Sequence, residues 1–345
     1  MNFINTTAAS LFPSVYGEDG NPAPLPETLM LETAQTADET VPQANPEYVF
    51  RRDALRQILS YLYCPHGDGL YITGPTGSGK TSLVSEVAAR LNWGLRSITC
   101  NARFEYRSLI GGFRLQSDLP GEAPVTRFQK GPLALAMERG EILLLNEIDL
   151  ADAGEVSALN DVLDGRPLVI AENGGEIVRP HPRFRFIATG NSAGFGDETG
   201  RYAGVRPLNM AFMDRFRILD VPYADPKVEQ ALLQRIVPKL GADVAGCMVQ
   251  LAGHIRRTFE TGDCSVTLST RGLCRWARLA HDYRRAPFPL RIALDEILLR
   301  RASPSDRDSI LDQCRVIFGN LWQGAESGDK KSEKSGTKAE KSAES

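Results

Sequence analysis

The sequence predicts an α/β fold, a parallel sheet wrapped around a glycine loop, followed by a small all-helical domain. Three observations predict it. Short apolar strands alternate with helical stretches from residue 45 to residue 222, the pattern of a parallel sheet covered on both faces. The first of these strands runs straight into a glycine-rich loop and then a helix. From residue 223 the apolar positions recur at helical spacing only.

The elements follow in chain order. Residues 1–44 are rich in Pro, Ala, Thr and Glu and carry Glu18, Asp19, Glu27, Glu32, Asp38 and Glu39 without a Lys or Arg; a mobile acidic arm is expected. Phe50, Leu55, Ile58, Leu59 and Leu62 predict a helix. Gly67 to Gly69 end it, and Leu70 to Thr73 form a buried strand. A helix from Lys80 to Leu91 comes next. Further strands are expected at Arg96 to Cys100, Glu141 to Asn146, Phe184 to Thr189 and Arg217 to Val221. Val169-Ile170 and Glu176 to Val178 flank Gly174-Gly175, a hairpin signal. Residues 223–322 read as a helical domain, with Leu232, Leu233, Ile236, Leu251, Ile255, Leu273, Trp276, Ile297 and Leu298 among its apolar positions. Residues 323–345 alternate Lys, Glu, Ser and Gly, and a disordered charged tail is expected.

Composition narrows the function. No window of the 345 residues approaches the ~20 apolar residues of a spanning helix, so no membrane span is expected. Arg51 is the first basic residue, so no positively charged leader is expected either. A net charge of -3 gives no global attraction to nucleic acid. The six cysteines and four histidines are scattered, without CxxC spacing, so no zinc site assembles. Free thiols in a cytoplasmic protein are the expectation.

The most specific motif is Gly74-Pro75-Thr76-Gly77-Ser78-Gly79-Lys80-Thr81, which fits G-x-x-x-x-G-K-[ST] at every position. Its glycines let backbone N–H groups close around phosphates at a helix N-terminus. In such a P-loop Lys80 reaches the β- and γ-phosphates, and Thr81 offers its hydroxyl to Mg²⁺. The competing reading is an ordinary glycine turn. The strand Ile142 to Leu145 then ends in Asn146-Glu147. In a P-loop ATPase this strand end supplies a second Mg²⁺ contact and a carboxylate that activates water, normally as Asp-Glu. Asn146 orients a metal-bound water but brings no charge. Glu147 is the candidate general base; the competing reading is a solvent-facing carboxylate. Asp149 either compensates for Asn146 or serves the next loop.

These elements, with Thr189-Gly190-Asn191 and the helical domain, resemble an AAA+ ATPase. Tyr48-Val49-Phe50, Gly190-Asn191-Ser192, Gly196-Asp197-Glu198-Thr199-Gly200-Arg201-Tyr202 and Asn209-Met210-Ala211-Phe212-Met213-Asp214-Arg215-Phe216 resemble the MoxR-like branch and, within it, the CobS-like ATPase subunit of aerobic cobaltochelatase. The likeness covers roughly residues 46 to 300. It implies a P-loop NTPase sheet, the AAA+ core, followed by an all-helical lid, with ATP and Mg²⁺ as cofactors. It implies that Asn191 is a sensor holding the attacking water and that Arg215 is an arginine finger acting on a neighbouring subunit. Arg271, in Leu268-Ser269-Thr270-Arg271, is implied to be a second sensor. Other readings stay open: Asn191 as a turn cap, and Arg215 paired with Asp214 or Asp220. Arg201 and Arg206 flank the same loop. Comparable inserts in this branch reach toward a pore, which makes residues 102 to 132 and the Val169–Val178 hairpin candidate partner contacts. Phe104, Tyr106 and Phe113 there are either pore aromatics or core.

The resemblance implies a homo-hexameric ring that uses ATP hydrolysis to remodel or activate a partner complex, with a von Willebrand-type protein as companion. The alternatives are the ATPase subunit of a cobaltochelatase, working with a metal-chelatase subunit, and a nucleic-acid-linked or GTP-using restriction-type motor. A scaffold that scarcely hydrolyses is kept open by Asn146.

Overall fold

The computed structural model describes residues 3–117, 124–196 and 204–323. The chain divides into two compact units, Met1–Val228 and Glu229–Ser345. The division falls within the helix Pro226–Ile236 and not at the 222–223 junction expected from the sequence.

The first unit is built on five parallel strands: β1 Gly69–Thr73, β2 Leu95–Thr99, β3 Ile142–Asn146, β4 Arg185–Thr189 and β5 Phe216–Asp220. Their order across the sheet is β5-β1-β4-β3-β2. Each lies within a residue of its expected position. β1, β3 and β4 are buried at every residue, which is why they read as continuous apolar runs. Helix α1, Arg52–Tyr63, buries Leu55, Ile58, Leu59 and Leu62 on one stripe. Helix α2, Lys80–Arg90, buries Leu83, Val84, Val87 and Ala88. Together with Ile72, Leu144 and Ile187 these form one apolar layer. Helix α3, Pro132–Arg139, has Pro132 in its first turn and packs Leu133 and Met137 into the layer on the other side, with Leu143 and Leu145.

The amino-terminal segment corrects the expectation of a mobile arm. Phe3–Thr7 pairs antiparallel with Met30–Ala34. Val15–Tyr16 pairs parallel with Phe50–Arg51. Ala8, Phe12, Val15, Leu31 and Ala34 are buried, and Phe12 stands edge-on to Phe50 at 5.0 Å. The guanidinium of Arg183 sits over both Phe3 and Trp93, at 4.0 and 4.2 Å from the ring centres. Average composition concealed this. The apolar residues are spread among prolines and acids without period, and each is paid for by a distant contact.

Two hairpins project from this unit. Gly111–Gln116 pairs with Val125–Lys130, and Leu168–Ile170 with Glu176–Val178. An ion pair ties them together, Lys130 to Glu176 at 2.7 Å, and Arg107, on the short helix Tyr106–Ile110 before the first hairpin, pairs with Glu172 in the turn of the second at 2.8 Å. Phe104 is buried, Tyr106 half-buried, and Phe113 exposed against Phe128. Val169 and Ile177, directly opposite each other, are both exposed.

The second unit is helical. Its main helices are α4 Pro226–Ile236, α5 Ala242–Thr261, α6 Thr270–Asp282, α7 Pro289–Ile297 and α8 Pro304–Phe318. Ser269 and Ser303 accept N–H groups at the starts of α6 and α8, satisfying orphan donors there. Leu251, Ile255, Leu273, Trp276, Leu294 and Phe318 make the core. Inside it Arg256 holds Glu229 through two hydrogen bonds, at 2.7 and 2.9 Å. Arg256 Nε donates to Leu268 C=O, and Thr270 donates to Glu229. This network fixes the turn that precedes Arg271. The expected tail lies outside the described residues beyond Gln323.

Candidate active site

The glycine loop joins β1 to α2 with Gly74, Gly77 and Gly79 all at positive φ. At Gly74 glycine is required twice over. Its φ is +140°, and a Cβ would lie 2.3 Å from the carbonyl oxygen of Val221. Gly79 starts helix α2 in a left-handed conformation. The loop thus ends at the positive pole of an eleven-residue helix. Ser78 Oγ is buried and has no hydrogen-bond partner among the described residues. Tyr223 closes the loop from β5's exit, its hydroxyl donating to Thr76 C=O at 3.0 Å.

Lys80 Nζ, largely buried, donates to Gly74 C=O at 2.6 Å, to Pro75 C=O at 3.1 Å and to Asn191 Oδ1 at 3.0 Å. Thr76 also donates to Asn191 Oδ1, at 3.4 Å. Thr81 donates its hydroxyl to Asn146 Oδ1 at 2.7 Å. Asn146 is itself fixed: Nδ2 donates to Ser97 Oγ at 2.7 Å, and Thr189 donates to Oδ1 at 3.4 Å. Glu147 carries an exposed side chain on a left-handed backbone, φ 54° and ψ 42°. Its N–H is held by Thr189 Oγ1 at 3.2 Å. A non-glycine residue in this region costs ~1–2 kcal/mol, and such strain clusters at functional positions.

Lys80, Thr81, Asn146 and Asn191, brought together from α2, β3 and the end of β4, therefore form one connected cluster, with Glu147 at its edge. Arg215 does not take the surface pairing with Asp214 or Asp220 considered from sequence. Its guanidinium grips Asp164 at 2.7 and 3.2 Å and donates to Ala211 C=O. That contact holds the Asp164 carboxyl below its usual range. Arg206 pairs with Asp152 at 3.1 Å. Arg201 lies outside the described residues, as do residues 197–203 of the motif around it. Arg271 is exposed in the first turn of α6, in the second unit. Asp149 does not compensate for Asn146; it serves the loop after β4, accepting the N–H groups of Asn191 and Ser192. Burial pushes its carboxyl up, opposed by those N–H groups and by the charge of Lys80. Ser97, Thr189, Tyr71, Tyr223 and Asp164 were not legible as site residues, because each acts through a partner dozens of positions away.

Among known proteins, residues 69–216 match the AAA domain family, dynein-related subfamily, and residues 229–315 match the CbbQ/NirQ/NorQ C-terminal family. The chain is an AAA+ ATPase of the MoxR and CbbQ/NirQ/NorQ superfamily. It is 28% identical over 288 residues to the aerobic cobaltochelatase subunit CobS of Sinorhizobium sp, covering 82% of this chain and 84% of that one. It is 33% identical over 157 residues to the uncharacterized protein YojN of Bacillus subtilis, covering 46% of this chain and 48% of that one, so it spans about half of that relative. A Thermotoga maritima RuvB variant is similar in structure at 14% identity and a TM-score of 0.45, covering 80% of this chain and 72% of that one. Among the described residues, no helix of this AAA+ chain is long and apolar enough to cross a membrane. All six cysteines are free, with Cys100, Cys264 and Cys314 buried; burial pushes the Cys100 thiol up to about 12.

Proposed function

We propose that this AAA+ chain hydrolyses ATP with Mg²⁺ as a subunit of a homo-hexameric ring and uses the energy to remodel a partner complex in the cytoplasm. The observation that carries the reading is the pair of contacts from one helix start: Thr81 to Asn146 at 2.7 Å, and Lys80 to Asn191 at 3.0 Å. They bring the Thr81 hydroxyl, the Asn146 amide, the Lys80 ammonium and the Asn191 amide together beside one glycine loop, which supports this reading.

The residues fit a nucleotide and its metal. The loop N–H groups, the helix pole and the buried Ser78 hydroxyl suit phosphate oxygens. Lys80 neutralises the β- and γ-phosphates, and Gly74 to Thr81 wrap them. Thr81 and Asn146 would hold Mg²⁺, which would supply charge screening for the transferring phosphoryl group. Glu147 takes a proton from the attacking water. Asn191 orients that water. Arg215, released from Asp164, acts on the nucleotide of a neighbouring subunit, where a guanidinium stabilises charge spread over the γ-phosphoryl oxygens. Arg271 plays the second-sensor part from the lid. The two ion-paired hairpins, with Phe113, Val169 and Ile177 outward, touch the partner.

Of the partner complexes, a metal chelatase is the best supported. The likeness to the cobaltochelatase subunit extends over 84% of that relative and is not confined to the nucleotide module. In this reading the chain is the ATPase subunit, and a separate von Willebrand-type protein and a chelating subunit complete the assembly. The test is steady-state hydrolysis of ATP and of GTP with Mg²⁺, across protein concentration, for the unaltered chain and Glu147→Gln. Turnover that rises with assembly and collapses in the variant supports the reading. A preference for GTP, or stimulation by DNA, points instead to the restriction-type motor. Nucleotide binding without turnover at any concentration overturns the hydrolytic reading in favour of a scaffold.

A further inference from the structure

Glu147 and Asn191 stand at the ends of neighbouring strands, but the ladder does not set their relative positions. The pairing of β4 with β3 stops at Ala188↔Leu145. Past that point β3 turns off through the left-handed Glu147, and β4 runs into the irregular stretch 190–196. Two side chains span the divergence: Thr189 Oγ1 accepts the N–H of Glu147 at 3.2 Å, and Asp149 reaches the loop that carries Asn191. Asp149 Oδ2 accepts the N–H of Asn191 at 2.7 Å and that of Ser192 at 3.3 Å. The residue is 0% exposed, and Oδ1 takes no hydrogen bond from another residue's side chain. The carbonyl of Asp149 accepts the N–H of Arg206 at 2.8 Å, so the same residue also holds the chain at Arg206.

A second group closes on the loop from β1. Tyr71 donates its hydroxyl to Ser192 C=O at 2.9 Å. At position 190 a Cβ would lie 1.9 Å from that hydroxyl and 3.1 Å from Asp149 Oδ2, so glycine is what lets strand, tyrosine and carboxylate meet.

We infer that Asp149 is a positioning residue for hydrolysis: its carboxylate fixes the backbone of Asn191 and so aims the Asn191 amide at Lys80 and Thr76. Hydrogen bonds from N–H groups to a carboxylate are about twice as strong as neutral ones. Truncating the acceptor leaves two part-buried donors without a partner, and the loop moves to satisfy them. The two contacts of Asn191 Oδ1, at 3.0 and 3.4 Å, have no slack for such a shift. Misplacing a group at a reacting centre by ~1 Å costs on the order of a hundredfold in rate. Asp149 and Glu147 ride on one short turn, so the base and the water-orienting amide are set by the same few residues. The inference rests on the hydrolytic reading for its rate arm alone.

The test compares the unaltered chain with Asp149→Asn, Asp149→Ala, Asn191→Ala and the double variant Asp149→Ala with Asn191→Ala. Amide hydrogen exchange over residues 189–196, without nucleotide, reads the positioning directly and independently of turnover. At positions 191 and 192 it rises at least tenfold in the Ala variant, and by a smaller factor in the Asn variant, which keeps one acceptor oxygen. Affinity for a fluorescent ATP analogue stays within threefold. The ATP turnover number falls in step with the exchange, and the double variant is no slower than Asn191→Ala alone. Unchanged exchange at 191 and 192 in a folded Ala variant overturns the inference, as does full additivity in the double variant. If the Ala variant does not fold, Asp149→Asn decides. A threefold or greater rise in exchange with affinity kept supports the assignment, and no rise sinks it. A chain that never turns over ATP defeats the hydrolytic reading and leaves the exchange result standing.

Discussion

Thr81 donates its hydroxyl to Asn146 Oδ1 across 2.7 Å, at the strand end where a P-loop ATPase normally has an aspartate. The other neighbours of Asn146 are Ser97 and Thr189, also hydroxyls. All three can turn to donate, so the pocket accepts a carboxylate without leaving a polar group stranded. Asn146→Asp is expected to fold and to bring a negative charge next to the cation. A unit charge ~4 Å from a divalent ion is worth ~2 kcal/mol even at the dielectric of water. The Mg²⁺ concentration for half-maximal hydrolysis should fall at least ~10-fold. A titration of turnover against Mg²⁺ checks this, and an unmoved midpoint would place the cation elsewhere.

Glu147 combines chemistry with strain. Glu147→Gln should cut turnover by ~100-fold or more with nucleotide affinity kept. Glu147→Gly should be as inactive yet harder to unfold, by up to ~1 kcal/mol, because glycine takes the left-handed backbone without a Cβ penalty. Urea midpoints for the two variants separate the effects. A glycine variant less stable than the glutamine one would contradict the strain.

In the helical unit, Glu229 is 1% exposed and bound through both oxygens to Arg256. Removing one partner leaves a buried charge uncompensated, which costs ~3–5 kcal/mol. Glu229→Ala should therefore lose that much stability and free the Thr270 hydroxyl that starts α6. Chemical denaturation followed by tryptophan fluorescence, to which Trp276 and Trp322 of this unit contribute, reads it. A loss under ~1 kcal/mol would mean that water reaches the pair.

Arg183 stacks between Phe3 and Trp93 and pairs with Glu32 at 3.1 Å. Arg183→Ala should loosen the first strand, since contacts of this type contribute ~0.5–2 kcal/mol each. Faster amide exchange over Phe3–Thr7, with β1 to β5 unchanged, is the expected signature. Uniform exchange across the unit would contradict a local role.

Asp149 contributes a pH dependence of definite sign to stability. Burial raises its pKa above 3.8 in the folded protein, so between 3.8 and the raised value the folded state binds more protons than the unfolded one. The contribution of Asp149 to stability then falls as pH rises through that window. Asp149→Asn removes the proton, and its melting temperature should gain on that of the unaltered chain as pH increases from 3.8. A difference independent of pH would show that the carboxyl ionises freely inside the fold.

By itself the sequence determined the sheet, the glycine loop and the helical unit. β1, β3 and β4 are local runs whose burial on both faces is written in consecutive residues, the edge strands β2 and β5 are short local runs beside them, and the loop from Gly74 to Thr81 demands residue types at fixed neighbouring positions. Periodicity within α1, α5 and α6 is equally local. Tertiary structure alone decided the rest. The amino-terminal segment has no period, and its order comes from Phe12 meeting Phe50 and Phe3 meeting Arg183. Arg215 could have paired with nearby acids, and only the fold brings Asp164 to it. Asp149 reads as one more acid after a strand until Asn191, 42 positions later, presents its N–H. A contact between residues far apart in the chain is set by packing and loop geometry, and no spacing in the sequence encodes it.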